Sequence, residues 1–196
     1  MICIGTNGAD RFIFKLAEKY SDAGLKTEIC MESCSPGILV NSKEKAEKNG
    51  CDIFIVGGGL GIMKYDIFIF YFADSPKSIS LLKSIRPGGY VIINADSCST
   101  FPYILPADIN VVTCGVNSNA SVTFSGINDY RNGRETLQCC VQKYIRTIYG
   151  KWIEPQEFGV NIVGNYPLSE VLVIITAAIM GGIEETVTKE CLFSTD

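Results

Sequence analysis

Residues 1–11, MICIGTNGADR, decide the fold because they join an apolar strand to a helix through a glycine-rich turn. Residues 1–4 predict a buried strand, and apolar residues at helical spacing from Phe12 to Tyr20 predict a helix that ends near Gly24. A turn of this kind is typical of loops that hold phosphate groups with backbone amides and the positive end of a helix dipole. The sequence therefore places a candidate anion site at residues 5–11.

Two side chains that a phosphate-binding loop needs are missing from this turn. A lysine normally neutralises the outer phosphate oxygens and a Ser or Thr hydroxyl holds magnesium, but Ala9 and Asp10 occupy those places. An aspartate in the first helical turn also competes with phosphate for the same positive dipole. We therefore expect no cofactor, with at most weak binding of ATP and magnesium.

Two interpretations of the turn stay open at this point. It is either an ordinary connection between a strand and a helix, or a vestigial nucleotide or anion site formed by Gly5, Thr6, Asn7, Gly8 and Arg11. Arg11 is accordingly either a charge that reaches back to the loop or a surface residue of the first helical turn.

The rest of the chain predicts a three-layer α/β fold, a mostly parallel sheet with helices on both faces. Strand-like runs recur at 26–31, 51–56, 67–72, 90–94 and 110–114, separated by helical or loop segments. Residues 78–85 predict a helix that stops at Arg86-Pro87-Gly88-Gly89. Residues 121–125, 135–140 and 158–163 alternate as in a small antiparallel extension, with Asn132-Gly133 as its hairpin turn and Trp152 on an edge hairpin. The apolar run 168–183 predicts a buried helix.

Length and charge limit the possible functions. A chain of 196 residues predicts one domain, residues 1–196. A net charge of −4 and a pI near 5.0 argue against nucleic-acid binding. The sequence has no signal-like start and no apolar stretch suited to a membrane span, so we expect a cytoplasmic protein.

The histidine and cysteine content argues against two further classes of protein, nucleophilic hydrolases and metal-binding proteins. The chain has no histidine, which removes the usual general base and makes a nucleophilic hydrolase improbable. Its nine cysteines include Cys30 with Cys34 and the adjacent Cys139 and Cys140, but they form no Cys-x-x-Cys pair. We therefore expect reduced core cysteines and no metal site.

Several segments, in order, resemble the central ATP-binding domain of the Mur ligases and the related folylpolyglutamate synthases. Residues 4–8 (IGTNG) resemble the opening of the family's Gly-Thr-Asn-Gly-Lys-Thr loop, and residues 83–96 (KSIRPGGYVIINAD) resemble its Asn-Ala-Asp segment. Residues 111–122 (VVTCGVNSNASV) and 164–168 (GNYPL), with the helix that follows, resemble later parts of that domain. The resemblance implies the fold of a Mur ligase central domain.

The same resemblance implies a degenerate site. The family makes an acyl phosphate from ATP and a carboxylate, which an amine then attacks. Its loop lysine and hydroxyl fall on Ala9 and Asp10, and its magnesium-binding glutamate falls near Gly57-Gly58-Gly59. Its Asn-x-x-x-Asp-His segment falls on residues 71–76, where Asp74 is a candidate relic of a metal ligand. The resemblance covers only the central domain, so we expect no counterpart of the family's two flanking domains in residues 1–196.

Three functional hypotheses follow. The first is a catalytically inactive Mur-ligase-like domain of cell-wall or poly-amino-acid metabolism, without catalytic residues, that binds a protein partner, a second copy of itself or a small anion. The 47% hydrophobic content of the chain and its mean hydropathy of +0.21 fit a protein whose surface is partly covered by a partner or by a second copy. The second is an ATP-dependent amide ligase subunit that a partner chain completes, with Arg11 or Lys15 supplying charge. The third is a methyltransferase-type fold, in which a glycine loop faces S-adenosylmethionine.

Overall fold

The computed structural model describes residues 1–31, 35–58, 61–71, 80–97, 106–130, 134–163 and 166–183. Its helices are α1 (Asp10–Asp22), α2 (Pro36–Lys48) and α3 (Leu168–Met180). Its strands are β1 (Ile2–Thr6), β2 (Thr27–Cys30), β3 (Ile53–Gly57), β4 (Tyr65–Phe70), β5 (Ile85–Asn94), β6 (Asn110–Cys114), β7 (Val122–Tyr130), β8 (Arg134–Val141), β9 (Ile145–Arg146), β10 (Trp152–Ile153) and β11 (Gln156–Val163).

Nine strands form one sheet in the order β11-β8-β7-β6-β5-β4-β1-β3-β2. Between β2 at one edge of the sheet and β7, all neighbouring strands are parallel. The strand β8 pairs antiparallel with both β7 and β11. The strands β9 and β10 form a separate antiparallel hairpin. The predicted mostly parallel sheet, its antiparallel extension and the hairpin that carries Trp152 are confirmed.

Helices cover both faces of the sheet. Apolar side chains of α1 and α3 pack on one face against alternate residues of β1, β3 and β4, such as Ile4, Ile55 and Ile67. Leu39 of α2 belongs to a second buried cluster, on the opposite face, together with Phe68 of β4. Because successive strand residues point to opposite faces, both sides of the central strands are apolar, as in parallel sheets that are covered on both sides.

The start of β5 differs from the prediction of a clear stop at residues 86–89. The strand begins at Ile85, and its pairing with β4 jumps from Tyr65–Ile85 to Ile67–Tyr90. Residues 86–89 therefore form a bulge, in which Gly88 has φ of 75°. The Arg86 guanidinium donates to the Asp66 carboxylate at 2.6 Å, and this ion pair ties the bulge to β4.

Candidate functional site

The turn at residues 7–9 lies at the carboxyl end of β1, where the order of the sheet changes direction. From β1 the chain crosses through α1 to β2 on one side of β1, and from β3 it returns to β4 on the other side. In open α/β sheets, ligands bind in the crevice outside such a reversal point. The crevice between β1 and β4 is therefore where a ligand is expected.

Hydrogen bonds tie the turn beside this crevice to neighbouring parts of the protein. The buried Thr6 Oγ1 accepts a hydrogen bond from the amide of Gly8 at 2.9 Å. Asn7 Oδ1 accepts one from the amide of Tyr71, just beyond β4, at 2.8 Å. The Tyr71 ring lies 5.4 Å from the ring of Phe12 in α1. The turn is thus tied to both neighbouring elements, and the Gly8 amide points to Thr6.

Packing accounts for both glycines of the opening motif, Gly5 in β1 and Gly8 in the turn. Gly5 lies inside β1, and a Cβ at this position would be 2.6 Å from Phe68 and 2.9 Å from Tyr65. A Cβ at Gly8 would be 2.7 Å from Phe12. These distances are too short for any side chain. Packing alone therefore explains why glycine occupies both positions, and no bound phosphate is needed to explain it.

The charged side chains at the start of α1 contact protein groups. Arg11 Cζ lies 4.6 Å from the centroid of the Tyr166 ring, a cation–π contact. Lys15 Nζ is 2.9 Å from Glu18 of the same helix. Asp10 is exposed in the first turn, and Ala9, at the N-cap position, provides no side-chain acceptor to the helix. The structure thus brings Gly5, Thr6, Asn7, Gly8 and Arg11 together around one turn.

Glu170 joins this region, although the sequence did not single it out. It lies in the first turn of α3 and is only 8% exposed, and its Oε1 atom has no hydrogen-bond partner among the described residues. Burial raises the pKa of Glu170, while the positive charge of Arg11 acts in the opposite direction. Burial and the nearby Glu170 raise the pKa of Tyr71. The sequence signal was present: Glu170 is the only charged residue of this mostly apolar helix.

Replacing Glu170 with glutamine should stabilise the protein in a pH-dependent manner. Because the folded-state pKa lies above the unfolded value of 4.5, Glu170 destabilises the fold as pH rises from about 4.5 through the folded-state pKa. We expect Glu170→Gln to raise the melting temperature near neutral pH, by the equivalent of about 1 kcal/mol, and to have little effect near pH 4. Thermal denaturation at both pH values measures this. The exposed Glu157 supplies the control variant, Glu157→Gln, and an equal effect of Glu170→Gln at both pH values contradicts the prediction.

The remaining predicted positions either lie outside the described residues or lie on other strands. Asp74 and Cys34 lie outside the described residues, as do residues 59–60 and the predicted hairpin turn at 132–133. Cys139 is buried and Cys140 half-buried on consecutive positions of β8, so their side chains point to opposite faces. Within the described ranges, no group of three carboxylate or thiol side chains is placed to hold a metal ion. None of the helices described there is both long and apolar enough to cross a membrane.

Comparison with solved structures identifies the architecture. The MurF ligase from Thermotoga maritima, solved in complex with ADP, has a TM-score of 0.63 and 9% sequence identity over 97% of this chain. The chain has a Mur-ligase-like fold. A second MurF structure, from Acinetobacter baumannii, has a TM-score of 0.60 and 8% identity over 97% of the chain.

The chain spans about half the length of these ligases, 48% of the first and 45% of the second. No protein-family model matches the sequence, and no curated protein is significantly similar to it. The resemblance inferred from residues 4–8 and the later segments is therefore confirmed at the level of the fold.

Proposed function

We propose that this chain is a catalytically inactive Mur-ligase-like domain that acts in cell-wall or poly-amino-acid metabolism by binding another protein or a small anion. The observation that carries the proposal is the turn after β1, which keeps the position of a phosphate loop but whose Gly8 amide and Asn7 side chain are hydrogen-bonded within the protein. Its fold relates it to the ligases, and its site chemistry separates it from them.

The hydrogen bonds of the turn support this proposal. A phosphate loop binds its ligand with backbone amides that point into the crevice. Here the Gly8 amide donates to Thr6 Oγ1 at 2.9 Å, and Asn7 Oδ1 holds the Tyr71 amide at 2.8 Å. A phosphate group held by the Gly8 amide has to replace the contact of that amide with Thr6 Oγ1.

The charges around the turn support it as well. The Asp10 carboxylate has the same sign of charge as a phosphate and lies in the first turn of α1, so it opposes a phosphate at the helix end, with solvent screening the repulsion because this side chain is exposed. Arg11 does not offset this repulsion fully, because its guanidinium contacts the Tyr166 ring and interacts with Glu170. Phosphoryl transfer relies on positioned positive charge, which this arrangement lacks.

The alternative, an amide ligase subunit completed by a partner chain, rests on the fold and on the start of α1. Ala9 leaves the first amides of that helix without a side-chain cap, so the helix end keeps some capacity for an anion. A partner chain has to supply both a lysine and the metal ligands. It also has to displace Arg11 from Tyr166 if that arginine is to contact phosphate.

Calorimetric titration with ATP and magnesium tests the proposal on the natural chain and on an Ala9→Lys, Asp10→Thr variant. We expect no binding by the natural chain at millimolar ATP and at least about tenfold tighter binding by the variant, which removes the repulsive carboxylate and adds a cation. Micromolar binding of ATP by the natural chain overturns the proposal and favours the ligase subunit.

A matched control separates local effects from net charge. Asn41 and Glu44 are exposed on α2, and an Asn41→Lys, Glu44→Thr variant changes the net charge by the same amount far from the turn. If this control variant binds ATP as well as the Ala9→Lys, Asp10→Thr variant does, then the turn is not the nucleotide site.

A further inference from the structure

The β9–β10 hairpin displays aromatic side chains to solvent. Tyr144 is 65% exposed and Trp152 is 59% exposed, although aromatic side chains of this size are usually at least half covered. The two side chains, together with Glu154, line an open groove of about 410 Å³. A groove of this volume lies within the size range of small-molecule sites.

The register of the hairpin explains how these residues come together. Trp152 pairs with Arg146, and Ile153 pairs with Ile145. Continuing this pairing places Tyr144 across from Glu154, and the period of two places Tyr144, Arg146, Trp152 and Glu154 on the same face. Ile145 and Ile153 are buried on the opposite face, which anchors the hairpin to the core.

We propose that this groove is a binding site for a small organic cation that carries an alkylammonium group. Aromatic faces attract ammonium groups through the negative potential above their rings, and a carboxylate at the edge adds a Coulombic attraction. Tyr144 and Trp152 provide the two rings, and Glu154 provides the carboxylate. This site is separate from the turn after β1, so it is independent of the function proposed above.

Arg146 shows that the indole ring already attracts a cation. Its Cζ atom lies 6.0 Å from the centroid of the Trp152 ring, and it occupies the cross-strand position beside that ring. The groove is lined by Trp152 together with Tyr144 and Glu154, the next pair along the hairpin. A second cation in the groove is repelled by Arg146, and the Glu154 carboxylate offsets that repulsion. Glu154 is therefore essential to the proposed site.

Fluorescence of Trp152, the only tryptophan of the chain, tests the site directly. The probes are choline chloride and 3,3-dimethylbutan-1-ol, a neutral molecule of nearly the same shape, with sodium chloride added to match ionic strength. We expect choline to shift the emission saturably and to bind about tenfold more tightly than the neutral alcohol. Equal binding of the two probes, or no saturable shift with choline, overturns the proposal.

Three variants locate the site. Tyr144→Ala and Glu154→Gln should each weaken choline binding by about threefold or more, since each removes one of the two groups that face the cation besides the reporter ring. The matched control is Tyr149→Ala, which removes an equally exposed tyrosine, 64% exposed, that lies elsewhere on the same hairpin. Unchanged affinity in Glu154→Gln, or an equal loss in Tyr149→Ala, contradicts the assignment.

Discussion

Replacing Gly5 with alanine is expected to lower the free energy of unfolding by about 2 to 3 kcal/mol. A Cβ at this position would be 2.6 and 2.7 Å from two atoms of the Phe68 ring and 2.9 Å from Tyr65. Both aromatic side chains are fully buried and contact each other at a ring separation of 5.4 Å. Because β1 pairs with β3 and β4 on its two sides, the strand cannot move away from these rings without breaking its ladder.

Denaturant-induced unfolding of the Gly5→Ala variant measures this loss. Gly126 provides the matched control, because it also lies in a strand but a Cβ there would meet no atom within 4 Å. We expect Gly126→Ala to leave stability unchanged or to raise it by less than about 1 kcal/mol, through reduced entropy of the unfolded chain. If both variants are equally stable, then the close approach at Gly5 is not the reason for glycine in this strand.

The Gly5 prediction bears on how the opening motif is interpreted. In a phosphate loop, glycines let the backbone approach the ligand. Here each of the two glycines lies so close to an aromatic ring that a Cβ would overlap it. The ring is that of Phe68 for Gly5 and that of Phe12 for Gly8. Packing in the core therefore accounts for both glycines of the strand-turn-helix unit.

Much of the architecture followed from local patterns in the sequence. The runs near 53–57 and 110–114 form strands because they are short, rich in β-branched residues and bounded by turns, and such runs have few alternatives in an α/β chain. Of the two, β3 is buried along its whole length, whereas Asn110 and Val111 of β6 are exposed. The bulge at residues 86–89 was missed because Pro87, Gly88 and Gly89 usually end an element. The ion pair between Arg86 and Asp66, which are far apart in sequence, keeps that segment beside β4.

The candidate site was only partly predictable, because contacts between residues far apart in sequence leave no local pattern. The residues of the turn are adjacent in sequence, so their proximity required no tertiary information. Tyr71, Tyr166 and Glu170 come from distant segments, and no local pattern indicates that they meet Arg11. The exposure of Tyr144 and Trp152 was likewise invisible in the sequence, because an aromatic residue in a short strand is more often buried than exposed.

The contact between α1 and α3 determines how these distant residues meet. Tyr20 of α1 is completely buried, and its hydroxyl donates a hydrogen bond to the carbonyl of Ala177 in α3 at 2.6 Å. At the end of α3, Gly181 leaves room for that ring. The same two helices carry Arg11 and Glu170 at their amino-terminal turns. We therefore expect a change in the spacing of the helices to shift Arg11 relative to Glu170.

Replacing Gly181 with alanine is expected to lower the free energy of unfolding by about 2 to 4 kcal/mol, through overpacking and the loss of a buried hydrogen bond. A Cβ there would be 2.3 Å from Tyr20 Oη and 2.6 Å from its Cε1. Tyr20→Phe alone should cost about 1 kcal/mol, since it removes only the hydrogen bond. A double-mutant cycle compares the denaturant-induced unfolding of Gly181→Ala, Tyr20→Phe and the variant that carries both changes.

In the double variant, Gly181→Ala with Tyr20→Phe, the total loss should be smaller than the sum of the single losses, because the phenol oxygen that alanine displaces is already gone. Gly37→Ala serves as the control: Gly37 lies in the first turn of α2 and a Cβ there would meet no atom within 4 Å, so this change should not destabilise the protein. Strictly additive losses in the cycle would mean that Gly181 and Tyr20 act independently. In that case the spacing of α1 and α3, and with it the position of Glu170 beside Arg11, has another cause.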